Sequence, residues 1–235
     1  MSGYGERLLE WLNAPDRYVE WYMSAGAAAF FTVVCMLTKD RKQRAWSITA
    51  LSAGACFVAS IFVAHELQWN FYMREEIGTC NGLAHYITRW FRAISVLDLL
   101  LGVCFYSEHL HPLTSWFHHI AYFLLCNWLV ETADGYCPYF VVCCLEELPT
   151  FILALGSINK KWRSDFWFGL TFFVLRICLH SFLCFQVFLT PIVDPRLSVV
   201  RFNFGLTMCL HAHWFYGFVQ QQRRLYNRAK QEKAT

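Results

Sequence analysis

Two adjacent histidines, His118 and His119, open an apolar stretch with the sequence WFHHIAYFLLCNWL over residues 116–129. Near neutral pH an imidazole can take up or release a proton, and it can also attack an activated carbonyl group. Burying such rings among apolar neighbours costs free energy, which makes a functional role the first hypothesis for the pair. Adjacent side chains on an α-helix point about 100° apart, so the two rings cannot do the same job. We predict that His119, which shares a helix face with Asn127, lies toward a polar interior.

Other ionisable or polar residues interrupt the apolar stretches on both sides of this pair. They are Asp98 in SVLDLLLGVCFY, Glu147 in CCLEELPTF, Arg176 in FFVLRICLHSF, and Asn203 and His211 at helical spacing near the C-terminus. Ionisable groups within apolar segments usually mark functional sites or face one another. We therefore predict that these five residues line one interior cavity together with one of the two histidines, while the other histidine anchors the helix. The alternative for Arg176 is a buried ion pair with Asp98 or Glu147 that only fixes the helix register.

The composition indicates a membrane protein with several spans. Of the 235 residues, 57% are hydrophobic and only 16% are charged, whereas soluble domains carry about 25% charged residues. Seven apolar segments of about 20 residues are each long enough to cross a bilayer as a helix. They cover roughly 18–38, 46–67, 87–106, 113–131, 136–158, 165–190 and 198–220. The sequence thus predicts an all-α protein with seven transmembrane helices, in which Arg89 and Arg92 at the start of the third extend toward the headgroups.

Basic residues are concentrated in three segments, 39–44, 159–163 and 223–235. With seven spans, all three lie on the same side of the membrane. The positive-inside rule then places the C-terminus in the cytosol and the N-terminus in the lumen. The net charge of +3 suits anionic membrane lipid as a partner, and nothing in the sequence indicates a nucleic acid.

The eleven cysteines lie mostly within apolar segments, where a thiol behaves as a small apolar side chain. Cys80 and Cys137 are assigned to the lumenal side, where an oxidising environment would permit a disulfide between them. No C-x-x-C pair occurs, which argues against a zinc knuckle. The histidines also lack the H-x-x-H-H spacing of membrane di-iron enzymes, so the sequence predicts no metal site.

Five short motifs follow one another along the chain. They are D-L-L-L-G-V-C-F-Y at 98–106, W-F-H-H at 116–119, E-L-P-T-F at 147–151, F-F-V-L-R-I at 172–177 and H-A-H-W-F-Y-G-F-V at 211–219. Their order resembles the TLC-domain family of endoplasmic reticulum (ER) membrane proteins, which includes ceramide synthases, over roughly residues 45–225. The synthases have a paired-aspartate motif resembling H-D-x-S-D, which this chain lacks. Its E-L-P-T-F stretch looks more like the smaller TLC-domain-containing proteins.

The resemblance implies a bundle of six helices, formed by spans two to seven, around a lipid-accessible cavity in the ER membrane. The predicted division is an N-terminal interfacial segment, a first transmembrane helix and a basic loop over 1–45, a TLC-like six-helix membrane domain over 46–222 and a basic cytosolic tail over 223–235. In ceramide synthases the histidine pair belongs to the catalytic centre, which transfers a fatty acyl group from acyl-CoA to the amine of a sphingoid base. Carried onto this chain, His118 and His119 take that place, with acyl-CoA as a co-substrate and no bound cofactor.

The residues leave two functions open. In the first, the chain is an acyl-CoA-dependent N-acyltransferase of sphingolipid metabolism, and one histidine, held by Asp98 or Glu147, acts as base or transient acyl acceptor. Acyl-CoA would approach from the cytosolic side, with its phosphates near the basic segment 159–163 or the basic C-terminal tail. In the second, the same cavity binds or senses a lipid such as ceramide without turnover, and the protein regulates membrane lipid composition or trafficking.

Overall fold

The computed structural model describes residues 15–68, 82–191 and 194–232, and every element within them is helical. The α-helices are α1 (Pro15–Leu37), α2 (Arg41–Glu66), α3 (Gly82–Phe105), α4 (His118–Thr132), α5 (Cys137–Cys143), α6 (Leu148–Ile158), α7 (Asp165–Thr171), α8 (His180–Leu189) and α9 (Arg196–Glu232). Short 3₁₀ segments cover Ser107–His109, Asp134–Tyr136, Cys144–Glu147 and Lys160–Trp162, and π-helical segments cover Pro112–Phe117 and Phe172–Leu179. The all-helical prediction is confirmed for these residues.

Four helical stretches are long and apolar enough to cross a membrane. They are Tyr18–Leu37, Arg41–Glu66, Asp134–Ile158 and Asp165–Leu189. Their length and composition support the prediction of an integral membrane protein.

The chain divides into two compact units. The first comprises the described residues up to 163, which form α1 to α6, and the second comprises those from 164 onward, which form α7 to α9.

In the first unit, α2 packs along α6, α3 packs against α4, and α1 packs against α3. The buried face of α2 consists largely of small side chains: Ser47, Ala53, Cys56, Ala59, Ser60 and Ala64. Inside a bilayer the hydrophobic effect does not drive helices together, so close contact through small residues is the main source of packing energy. Gly54 extends this face, because a Cβ atom there would lie 3.1 Å from the ring of Phe151 on α6.

The basic segment between α1 and α2 also holds the end of α1 and the start of α2 through hydrogen bonds. The Asp40 side chain accepts hydrogen bonds from the backbone N–H groups of Lys42 and Gln43, which caps the start of α2. Arg44 donates to the carbonyl oxygens of Cys35 and Thr38 at the end of α1, over 3.2 and 3.0 Å. These contacts satisfy helix-end groups that otherwise have no intrahelical partner.

Proline explains the irregular geometry between α5 and α6. Pro149 has no N–H, and its ring crowds the carbonyl group four residues earlier, at Leu145. The chain tightens into a 3₁₀ segment over Cys144–Glu147 and restarts as α6 with Pro149 in its first turn, a position that proline favours. This places Glu146 and Glu147 just ahead of a new helix.

The second unit is an antiparallel helical hairpin. Aromatic pairs define its register: Phe168 contacts Phe218, Phe172 stacks on Phe215, and His180 stacks on Phe204. Gly169 permits this close approach, because a Cβ atom there would lie 2.7 Å from the ring of Phe218.

Candidate functional site

A small cavity lies in the first unit, between α2, α3, the start of α4 and the start of α6. Its lining residues are Ile48, Thr49, Ser52, Ala53, Phe91, Ile94, Ser95, Asp98, His118, His119, Glu147 and Thr150. Its volume is about 70 Å³, whereas pockets that enclose drug-sized ligands measure roughly 300–1,000 Å³. In this conformation it accommodates water or the end of a ligand, and not a whole lipid.

Asp98 and His119 form the polar centre of this cavity. The Nε2 atom of His119 lies 3.5 Å from Oδ2 of Asp98, and its Nδ1 atom lies 3.2 Å from the carbonyl oxygen of Ser95. A carbonyl oxygen can only accept, so Nδ1 carries a hydrogen and donates it. Both ring nitrogens of His119 therefore face acceptors on α3, and the ring ties α4 to α3.

Tyr106 is the third member of this group, and sequence analysis did not select it as a site residue. Its hydroxyl donates a very short hydrogen bond to Oδ1 of Asp98 and lies 3.1 Å from the Asp98 carbonyl oxygen. Its ring is only 2% exposed and packs in a core cluster with Phe31 and Ile48. The available signal was its spacing of eight residues from Asp98, which on a continuous helix would put both residues near one face.

His118 lies beside this group on the cavity wall. Its ring centroid is 5.6 Å from that of His119 and 4.6 Å from that of Tyr122. Tyr122 in turn contacts Phe91 on α3, with the ring centroids 5.2 Å apart. Both histidines thus line the cavity despite their different directions, because α4 begins at His118 and its first turn borders the cavity.

Glu147 lies on the wall that α6 and the preceding 3₁₀ segment provide, together with Thr150. The structure thus brings four of the predicted site residues to one cavity: Asp98, His118, His119 and Glu147.

A charge network around two buried arginines, which sequence analysis missed, joins three helices in the first unit. Arg92 contacts Glu20 of α1 through a very short ion pair, and it donates to Asn127 and Glu131 of α4, both over 3.0 Å. Arg89 lies 3.6 Å from Glu20. The expectation that Arg89 and Arg92 extend toward headgroups is wrong, because these pairings keep their side chains only 7% and 3% exposed.

The remaining predicted site residues, Arg176, Asn203 and His211, belong to the second unit. The Arg176 guanidinium lies over the rings of Phe172 and Trp214, with its carbon 5.2 and 5.8 Å from the ring centroids. The hydroxyl of Thr207, one turn further along α9, donates a hydrogen bond to the side-chain oxygen of Asn203 over 3.4 Å. Nδ1 of His211 lies 3.1 Å from the carbonyl oxygen of Arg176.

For the predicted disulfide, Cys137 is buried at the start of α5, and Cys80 lies outside the described residues.

The comparisons with known proteins add no identification. No protein-family model matches the sequence, and no curated protein or solved structure matches it.

Proposed function

We propose that the chain is a multi-pass ER membrane protein that handles lipid at the cavity around Asp98, His118 and His119. The observation that carries this proposal is the convergence of two imidazoles and two carboxyl groups on one cavity between apolar helices. Charged or titratable groups in such surroundings are costly, and they commonly mark ligand sites. The five motifs that resemble the TLC-domain family support the same proposal.

As an enzyme, the protein would N-acylate a sphingoid base with fatty acyl-CoA. The thioester C–S bond breaks, the new C–N amide bond forms, and the proton of the amine passes to the departing CoA thiolate. One of the two histidines that line the cavity would act as base or transient acyl acceptor. In this scheme Asp98, which lies 3.5 Å from Nε2 of His119, helps to position the pair.

The second candidate is a lipid-binding or lipid-sensing protein that performs no acyl transfer. Two observations favour it: the cavity measures only about 70 Å³, and the imidazole of His119 is held through both nitrogens. Such a cavity would bind a headgroup or the end of a chain and report its presence through the helices.

The proposed topology has seven spans, a lumenal N-terminus and a cytosolic C-terminus, from the distribution of basic residues. Protease added to intact microsomes should remove a C-terminal tag and spare an N-terminal one. The opposite pattern would reverse the side from which acyl-CoA must arrive.

The function can be tested with purified protein in lipid vesicles, supplied with labelled acyl-CoA and a sphingoid base. The test variant is the double substitution His118→Ala and His119→Ala, and the matched control is His109→Ala, which changes an exposed histidine in a 3₁₀ segment outside the cavity. Thermal melts confirm that both fold. Turnover that only the double variant loses supports the enzyme.

Lipid that co-purifies without turnover, and that only the double variant loses, supports the binding protein. If wild-type protein neither turns over substrate nor retains a lipid, lipid handling at this cavity is refuted.

A further inference from the structure

Two basic segments that lie far apart in the sequence meet at one end of the first unit. The Gln43 side chain donates a hydrogen bond to the carbonyl oxygen of Ile158 over 3.3 Å, across 115 positions. Its side-chain oxygen accepts a hydrogen bond from the Thr38 hydroxyl over 2.7 Å. This one side chain therefore joins the end of α1, the start of α2 and the end of α6. As a result, the basic segments 39–44 and 159–163 are neighbours.

The second of these segments is a compact turn. The Asn159 side chain accepts a hydrogen bond from the backbone N–H of Lys161 over 3.0 Å, which caps the 3₁₀ segment Lys160–Trp162. Gly156 lets the chain fold back over the end of α6, because a Cβ atom there would lie only 3.0 Å from the Cα atom of Arg163. The lysines of this turn therefore project from a backbone that is held in place.

Four exposed lysines supply most of the charge at this end of the unit. We call them the basic patch: Lys39, Lys42, Lys160 and Lys161. Two acidic side chains lie beside the patch, and both are already engaged. Asp40 accepts the hydrogen bonds that cap α2, and Glu108 pairs with Arg41 over 3.3 Å. The patch therefore keeps an excess of positive charge.

The basic patch belongs at the level of the lipid headgroups. It follows or precedes the ends of three stretches that are long and apolar enough to cross a membrane: Tyr18–Leu37, Arg41–Glu66 and Asp134–Ile158. Where such stretches begin or end, the hydrocarbon gives way to the headgroup region. Trp162, which is 59% exposed beside the lysines, suits this depth, because tryptophan favours the membrane–water interface.

We propose that the basic patch binds the headgroup of an anionic membrane lipid that carries more than one phosphate group, such as a phosphoinositide. A phosphate monoester carries about −1.5 to −2 charges near neutral pH and offers three acceptor oxygens. The lysine ammonium group is a compact charge with three donors on a flexible stem, so several lysines can converge on one headgroup. Clusters of four or more basic residues beside a membrane helix are typical of such lipid sites. This site lies outside the cavity described above, and its proposal does not involve acyl transfer.

The test uses the full chain in detergent, with native mass spectrometry to count bound lipid. The probes are a dioctanoyl phosphatidylinositol bisphosphate and dioctanoyl phosphatidylserine. Wild-type protein should bind about one bisphosphate lipid, at a concentration at least tenfold below that needed for phosphatidylserine. No preference for the bisphosphate lipid would refute the site, because a diffuse positive surface does not distinguish one headgroup from another.

The test variant removes one lysine from each segment, through Lys42→Gln and Lys161→Gln together. The matched control is Arg228→Gln with Lys230→Gln, which causes the same change in net charge at two exposed residues of α9. The test variant should bind the bisphosphate lipid at least tenfold more weakly, and the control should stay within about twofold of wild type. Equal weakening in both variants would show that net charge alone attracts the lipid, and would overturn the proposal.

Coenzyme A distinguishes a lipid headgroup from the phosphates of the proposed co-substrate. Free coenzyme A, added at the concentration of the bisphosphate lipid, should leave the lipid bound. Displacement of the lipid at that concentration or below would assign the basic patch to acyl-CoA and refute the lipid site. Because these measurements involve no turnover, their result is separate from the test of acyl transfer at the cavity.

Discussion

The substitution Tyr106→Phe isolates one oxygen atom at the centre of the candidate site. The ring stays in the core, where it is 2% exposed and packs against Phe31 and Ile48. Only the hydroxyl is lost, and with it the contacts to Oδ1 and to the backbone carbonyl oxygen of Asp98. The change in the free energy of unfolding therefore reports the contacts of this hydroxyl with Asp98.

The magnitude depends on the charge of Asp98. A bond to a charged group contributes about 1.5–3 kcal/mol, and one between neutral groups about 0.5–1.5 kcal/mol. The two oxygens of Asp98 face the Tyr106 hydroxyl and Nε2 of His119, so Tyr106→Phe leaves one oxygen of a buried acceptor without its hydroxyl donor. We therefore expect Tyr106→Phe to lower the free energy of unfolding by about 1–3 kcal/mol.

The assay is reversible unfolding in mixed micelles of a mild detergent and sodium dodecyl sulfate. Tyr86→Phe is the matched control, because Tyr86 is 48% exposed on the same helix, and it should change stability by less than about 0.5 kcal/mol. In a double-mutant cycle with Asp98→Ala, which removes the side-chain acceptor, most of the Tyr106→Phe effect should disappear. A loss no larger than that of the control, or an equal loss in the Asp98→Ala background, would show that the proposed bond does not stabilise the fold.

Three further outcomes follow from the first unit. Glu20→Gln should destabilise it by about 3 kcal/mol, since it removes a carboxylate from two buried arginines, and unfolding in mixed micelles would measure the loss. Gly156→Ala should lower the free energy of unfolding by about 1–3 kcal/mol, because the new Cβ atom would lie 3.0 Å from the Cα atom of Arg163. Gly26→Ala is its control: a Cβ atom there would meet nothing within 4 Å, so the stability should be unchanged or rise by up to about 1 kcal/mol. The pKa of the Glu108 carboxyl lies below its ordinary value, chiefly through a hydrogen bond from its own backbone N–H and then through Arg41. Because the pKa of Glu108 is lower in the folded state, this carboxyl stabilises the fold at pH values above its unfolded-state pKa, and the stabilisation is lost as the pH falls through its folded-state pKa. Arg41→Gln should raise the pKa of Glu108, which a carbon-13 NMR titration would measure.

The apolar segments predicted where helices lie, because unbroken runs of about 20 apolar residues have few alternatives to helix in a bilayer. Helix ends were less predictable. α2 begins at Arg41, ahead of the predicted 46, because the Asp40 side chain caps a polar first turn. α9 continues to Glu232, past the predicted end at 220. The polar residues that follow the apolar segment can also form a helix, although the thickness of the membrane does not require one there.

Four residues that line the cavity could be predicted from the sequence, whereas Tyr106 and the pairings between side chains could not. Asp98 and the histidines stood out as ionisable residues in apolar surroundings, but whether Asp98 or Glu147 holds a histidine depends on how helices rotate against one another. Tyr106 lies just beyond the end of α3, with φ at −152°, so its contact with Asp98 depends on the chain leaving the helix there. The pairing of Glu20 with Arg92 spans 72 positions, and helical periodicity carries no information over that distance.

The 37 residues of α9 give it a length of about 55 Å, whereas the hydrocarbon core is only about 30 Å thick. Under the proposed topology, the last turns of α9 stand in the cytosol as a continuation of the spanning helix. At physiological ionic strength, charges are screened over about 8 Å. In that topology Arg223 and Arg224 would lie within electrostatic reach of the lipid headgroups, while Lys230, about 10 Å further along the axis, would lie largely beyond it. The start of the basic tail would then respond to the charge of the membrane surface, and its end would be exposed to partners in the cytosol.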